Sequence, residues 1–572
     1  MRSNYRLLLA ATVTLLLAAG CGSTPQLSSP ETGIKAAPEP TPPAVELTPK
    51  LLYQLLVAEF AAQEGALRLS ANTYLESAIA TRDYRLARRA TRLAIYAREH
   101  NTALKAATLW VELEPENGEA HKSAATMLIA AGRMDEARPH LNHLLKSQRQ
   151  DSNHGFTLIA SLLATDPDKG RALRIMEEFT ASAPNSPHAL YAHAQLAQQF
   201  GDNSRASTLL QQLLKVEPRH EQGLLLQARV LHSLGDREGS LSSMGQALKL
   251  SPDNQQLRLS YARMLIDSRH LPEARKQFRT LLKVTPNDAD VLYALGLLAM
   301  EAGDLDEAEI HFQRLLELHQ REEESRFALA QIAEQRQQFD EAIDWFSSIA
   351  QGERYIEAHL QAARLIHQQQ GLEPARAYLR ELETQNDAER VELILAEGEL
   401  LNLAGKHKEA MRQHDAGLKR FKDNAELLYA RGITAEKLNL LDVMERDFKR
   451  IIKLNPQDAH ALNALGYTLV DRTDRIKEGF GYIERAYKLK PDDVAILDSM
   501  GWALYRLQRY DESLGYLQRA ASMMRDAEIA AHLGEVLWVS GRHSEARLVW
   551  EKALEFAPEH KILQQTIKRL AP

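Results

Sequence analysis

The chain has 572 residues, 44% apolar and only 6% aromatic, and its 70 Lys and Arg against 77 Asp and Glu leave a formal charge of -7. That balance offers no overall positive field to nucleic acid, and a lone cysteine excludes disulfides within the chain and thiolate-rich metal sites. Scarce aromatics favour Ala- and Leu-rich helices over strands, and no alternating pattern stands out.

The first predicted element is an export signal over residues 1–20: Arg2 and Arg6 precede an apolar run, Leu7 to Ala19, too short to cross a bilayer. The run ends in Leu17-Ala18-Ala19-Gly20-Cys21, which resembles the lipobox of bacterial lipoproteins, with Ala18 in place of the usual Leu. The resemblance implies cleavage before Cys21 and acylation of that cysteine; the plain alternative is an ordinary cleaved signal with an incidental cysteine. The three acyl chains of that family exceed the single chain that anchors only marginally. Gly22 stands where inner-membrane retention usually has Asp, so the resemblance implies a Gram-negative outer-membrane lipoprotein facing the periplasm.

Residues 21–47 are the lipidated end and a tether: Pro25, Pro30, Pro38, Pro40, Pro42 and Pro43 interrupt Ser, Thr, Gly and Glu without apolar periodicity. At about 3.1 Å per residue such a segment reaches several tens of Å from a membrane. Thr48 and Pro49 then predict a helix start, as N-cap and first helical residue ahead of Leu51, Leu52, Leu55 and Leu56. Further on, Arg82, Arg85, Arg88, Arg89 and Arg92 form a basic stripe opposite Leu86, Ala90, Leu93 and Ala97. The plainer reading is a solvated face with local carboxylate partners; the functional one makes Arg85, Arg89 and Arg92 candidates for an acidic partner or lipid headgroups.

From here a fixed spacing takes over. Ala103 and Ala137 are 34 apart and Ala172 follows at 35. In the centre Ala194, Ala228, Ala262, Gly296 and Ala330 keep the step of 34, with Ala206, Ser240, Ala274, Ala308 and Ala342 each twelve later. Pro218, Pro252 and Pro286 share the period, and Gly201-Asp202, Gly235-Asp236 and Gly303-Asp304 punctuate each unit. The pattern predicts helix, tight turn, helix, break, with small residues where the two helices cross. It resembles the tetratricopeptide repeat (TPR), which implies an all-α solenoid, a right-handed superhelix of about fourteen antiparallel pairs over residues 48–558.

The ladder continues through Gly398, Gly432 and Gly466. It slips by one at Gly371-Leu372-Glu373-Pro374, where Ala375 comes early, and between Pro456 and Pro491, which are 35 apart. Gly534, Gly541, Ala546 and Pro558 mark the last unit, and residues 559–572, with Ile562, Leu563, Ile567 and Leu570, predict a capping helix.

The common catalytic patterns are missing. His220-Glu221 lacks the second zinc-binding histidine, Gly405-Lys406 lacks the glycine of a phosphate loop, and there is no GxSxG or SxxK. His140 and His143 share a helical face without a carboxylate to complete a metal site. The chain is therefore read as not an enzyme, with no metal and no cofactor.

Protein binding remains. TPR arrays that this one resembles present the first helix of each pair on the concave side. Three residues before the small residue stand Tyr191, Tyr293 and Tyr429; one after it, Tyr467 and Trp502; four after it, Tyr505 and Trp538. These offsets share one helical face, where aromatics can hold a peptide or pack between neighbouring helices. The groove positions lack the Lys and Asn of a clamp for chaperone carboxylates: Lys122 stands with Thr126, and Tyr191 with Gln195.

Lipobox, tether, the Thr48-Pro49-Lys50-Leu51-Leu52 entry and the full repeat array together resemble the outer-membrane TPR lipoproteins that serve as adaptors of the C-terminal processing protease CtpA. The resemblance implies binding to that periplasmic serine protease and to its substrates, peptidoglycan hydrolases, and hence an effect on cell-wall remodelling. The alternative is a scaffold lipoprotein of an exopolysaccharide export or other envelope assembly complex.

Overall fold

A computed structural model describes residues 43–147 and 152–571, so Cys21, the export signal and most of the tether lie outside the described residues. Thr48 caps the first helix, Pro49–Gln63, as its spacing predicts: its hydroxyl accepts the Leu51 N–H at 3.2 Å, and Pro49 occupies the first turn. Among the described residues 31 helices follow one another without a strand, forming fifteen antiparallel hairpins and a terminal helix, Lys561–Leu570. The count is within one of that expected from the period.

The ladder works by letting helices approach. Ala194 and Ala206, Ala262 and Ala274, and Ala330 and Ala342 are wholly buried. Where the second member is serine, its hydroxyl reaches across the crossing. Ser240 donates to the Ala228 carbonyl at 2.6 Å, Ser70 to Ala58 at 2.6 Å and Ser513 to Gly501 at 2.7 Å. Where the first member is Gly296 or Gly432, a ring sixteen residues on fills the space. A Cβ on Gly296 would meet Phe312 at 2.6 Å, and one on Gly432 would meet Phe448 at 2.9 Å. At Gly466 the backbones themselves touch, since a Cβ there would lie 2.7 Å from the Gly479 carbonyl.

The turn inside each hairpin is equally regular. Gly201, Gly235 and Gly303 adopt φ of +85°, +84° and +75°, and the aspartate after each caps the second helix, as when Asp202 accepts the Arg205 N–H at 3.0 Å. Arg98, Arg269, Gln337, Asn439 and Gln508 hold the same left-handed backbone without being glycine. Pro218, Pro252 and Pro286 fall in the breaks between hairpins. The 35-residue step is absorbed at the end of the helix Ala459–Arg472: Thr473 is extended there and its hydroxyl donates to the Leu469 carbonyl at 2.6 Å.

The described helices fall into two compact units that divide after Leu257. In the first, a core of the early hairpins around Tyr74 and Trp110 is followed by a longer one that runs through Leu141, Ile159, Met176, Leu190, Leu210 and Leu213. The second carries a succession of smaller cores, each centred on one or two hairpins, such as that of Phe327 and Phe346 and that of Leu533, Trp550 and Leu563. Each hairpin buries its apolar stripe only against its neighbours, so stability is a sum along the row.

Candidate protein-binding wall

Where the first helices of successive hairpins face one another, their side chains define an inner wall. In the second unit this is plainest over the helices Ala459–Arg472, Val494–Arg506 and Ala527–Val539, the first helices of the last three hairpins. The Tyr467 hydroxyl donates to Glu528 at 3.0 Å, so the outer two of the three are joined by a hydrogen bond that passes the middle one. Only the concave side of a curved stack brings such positions together.

The middle helix supplies Asp498, Trp502 and Tyr505 to the same place. Trp502 is 9% exposed; its indole N–H donates to Asp471 at 3.1 Å and its ring stacks on His532 at 4.2 Å. Tyr505 donates to Glu535 at 2.9 Å, and Arg569 of the terminal helix donates to the other oxygen of Glu535 at 2.5 Å. His532 is 4% exposed and lies 3.0 Å from both oxygens of Asp498. Burial alone would hold the imidazole below its ordinary range, but the charge and hydrogen bond of Asp498, with Glu528 and Asp471 nearby, raise it. Burial, followed by the Glu535 charge, pushes the Tyr505 phenol up to about 12, and burial with Glu528 raises Tyr467 as well.

Of the seven aromatic residues picked out by their offsets, the fold therefore gathers Tyr467, Trp502 and Tyr505, and bonds their polar tips to the protein's own carboxylates. Trp538 stacks on His543 at 4.3 Å and on Trp550 at 5.7 Å in its own hairpin. Tyr293 packs edge-on to Phe312 under the Arg321 guanidinium, Tyr429 edge-on to Phe448, and Tyr191 against His220. All four are half-buried. The acidic residues Asp471, Asp498, Glu528 and Glu535 went unremarked in the sequence, although two fall at the groove offsets of Gly501 and Gly534.

Arg85, Arg88, Arg89 and Arg92 of the basic stripe lie on the helix Tyr84–Tyr96, whereas Arg82 falls outside it, as the left-handed residue that ends the helix Leu67–Thr81. Arg85 binds Asp83 at 2.6 Å, Arg82 binds Glu112 and Arg89 binds Glu59, both at 3.3 Å. Among the described residues Arg88 and Arg92 have no carboxylate at ion-pair distance. His140 and His143 do meet, but through His121 on the preceding helix: His121 Nδ1 is 2.9 Å from His140 Nδ1, and its ring stacks on His143 at 3.8 Å. Burial lowers the His121 and His140 pKa values. No group of three or more His, Cys, Asp or Glu among the described residues is arranged to hold a metal ion.

Rows of hairpins with small residues at the crossings and an inner wall of side chains define the TPR class of proteins, which generally serve as protein-interaction scaffolds. Family models match in succession: the cytochrome c-type biogenesis protein H TPR domain at residues 208–327, anaphase-promoting complex subunit 3 at 301–382, and the tetratricopeptide repeat at 499–560. The chain belongs to the family of the TPR repeat-containing protein PA4667 of Pseudomonas aeruginosa, with 36% identity over 568 residues, 98% of this chain and 95% of that one. Among solved structures, the thermophilic TPR protein TTC0263 of Thermus thermophilus is 22% identical over 31% of this chain and 96% of its own, at a TM-score of 0.29. The hetero-tetramer Cut9–Hcn1 is 14% identical over 92% of this chain and 97% of that one, at 0.32.

Proposed function

We propose that the protein is a non-catalytic outer-membrane lipoprotein adaptor. It binds a periplasmic C-terminal processing protease and brings substrates such as peptidoglycan hydrolases to it. What supports this reading is the succession of TPR hairpins among the described residues, together with an N-terminal sequence that resembles an export signal and a lipobox. An adaptor of this kind supplies no reacting group; it raises the concentration of substrate at the protease, an effect that reaches the millimolar range for short flexible links.

Affinity capture from detergent-solubilised envelopes tests the proposal. A processing protease with cell-wall endopeptidases is the expected catch, whereas synthase or export subunits would establish the assembly scaffold instead. Hydrolysis of peptidoglycan by the purified protein would overturn both. Within the wall, replacing Tyr467, Trp502 and Trp538 together by Ala is expected to weaken protease binding by roughly tenfold or more. Unchanged affinity with helical content preserved would move the binding surface elsewhere.

A further inference from the structure

The first helix, Pro49–Gln63, is apolar on both sides. Ala58 and Ala61 face the second helix, while Leu52, Tyr53, Leu56 and Phe60 line the outside and are 45%, 69%, 49% and 61% exposed. Leu56 stands four residues after Leu52, three after Tyr53 and four before Phe60, so the four make one continuous stripe along the helix. In any later hairpin this face would be covered by the hairpin before it; here none precedes it among the described residues. Exposed stripes of this kind mark an interaction surface.

The arginine face adjoins this stripe. Glu59 sits at its edge, beside Phe60, and binds Arg89 of the helix Tyr84–Tyr96 at 3.3 Å. From that helix Arg85 and Arg92 are exposed, as is Tyr96, at 80%. Over the first two hairpins, residues 49–113, nine Lys or Arg stand against six Asp or Glu, an excess of three positive charges in a chain whose total is -7.

We propose that this surface docks on an anionic lipid membrane, with Leu52, Tyr53, Leu56 and Phe60 entering the headgroup region and Arg85, Arg89 and Arg92 meeting lipid phosphates. The proposal deepens the lipoprotein reading and rests on it for bringing the bilayer within reach. The combination of an aliphatic and aromatic stripe with flanking arginines matches the chemistry of interfacial helices. Charge decides against the other occupants. A second copy docked end to end would bring two positive excesses together, whereas anionic lipid neutralises one. Residues 22–47, broken by six prolines, hold too few apolar residues to supply a covering helix. No helix among the described residues is long and apolar enough to cross a membrane, so the contact lies in the surface plane.

The test uses the chain from residue 21 with Cys21→Ser, which removes the acylation point, and vesicles of phosphatidylcholine with or without phosphatidylglycerol. The protein is expected to sediment with the anionic vesicles only, and less so as salt rises. Leu52→Ser, Leu56→Ser and Phe60→Ser together should lower binding by roughly tenfold or more, and Arg85→Glu, Arg89→Glu and Arg92→Glu by a similar factor, with helical content unchanged. A photo-reactive benzoyl-phenylalanine in place of Tyr53 should cross-link to lipid. Failure to bind either vesicle, binding that both variants retain, or cross-links to residues 21–47 or to a second copy would each overturn the proposal. Mass spectrometry of the native N-terminus reads acylation separately, so loss of the lipoprotein reading is distinguishable from loss of this one.

Discussion

The two ends of the row are built differently. At the start, Pro49–Gln63 turns Leu52, Tyr53, Leu56 and Phe60 outward. At the finish, Lys561–Leu570 buries Leu563 and Thr566 against the last hairpin and exposes its Lys and Arg, and Arg569 returns to bond Glu535 on the inner wall. A repeat array needs each terminal face either capped by polar sequence or covered by something else. The finish supplies its own cap; the start leaves its apolar stripe exposed among the described residues. The last three hairpins are in addition bonded to one another through Tyr467, Trp502, Tyr505 and the Asp498–His532 pair.

The largest effect should come from breaking that pair. Below pH 6.5, where the raised imidazole carries its proton, Asp498→Ala leaves His532 buried without its carboxylate, and removing one partner of a buried pair costs about 3–5 kcal/mol. Hydrogen exchange should rise over Val494–Arg506 and Ala527–Val539 first, and Asp498→Asn, which keeps an acceptor, should do less. Equal protection in wild type and Asp498→Ala would show that the finish is held by packing alone.

Next come the ends themselves. Leu563 is wholly buried, so Leu563→Ala should cost about 2–5 kcal/mol and release the cap. Leu56→Ser at the start should cost less, about 1 kcal/mol in the free protein, since about half of the residue is already in water. Comparable losses at both positions in urea titrations would mean that the start is covered within the chain.

Acidity separates the regions by sign. Burial holds His193, in the first unit, and His414, in the second, at about 4 against an ordinary 6.5. The unfolded chain therefore binds a proton that the fold refuses, and stability is lost as pH falls from 6.5 towards 4, by about 3 kcal/mol at each site. His532 is raised, so its contribution is complete below 6.5 and is lost as pH rises through its folded value. Exchange measured across that range should show helices around His193 and His414 loosening in acid while the last hairpins hold.

Much of this was legible in sequence, because sterics at a crossing are local and repeat. The small-residue ladder, the Thr48 cap and the Gly-Asp turns are where the spacing puts them. What the spacing did not carry is longer in range. Tyr467 and Glu528 are 61 residues apart and meet only because the stack curves, and His121 joins His140 and His143 from another helix. The apolar positions of the first helix all fit one amphipathic reading, and only burial shows that Leu52 and Leu56 belong to the outer face. The aromatic offsets point to one helical face, but offsets do not say whether a ring is free or already stacked, as Trp502 is on His532.

The smallest effect is expected where the ends agree. Gly65 in the first hairpin and Gly541 in the last have φ of +76° and +81°, and a Cβ on either would meet nothing within 4 Å. Gly65→Ala and Gly541→Ala therefore add backbone strain without a clash, about 1 kcal/mol each, whatever covers the neighbouring face. Gln508 already bears that strain at φ +62°, so Gln508→Gly should recover somewhat less than about 1 kcal/mol, the glycine's extra freedom when unfolded offsetting part of the gain. If Gly65→Ala proved much milder than Gly541→Ala, the difference between the ends would reach down to the turn, and the first hairpin would be loosely formed until its outer face is covered.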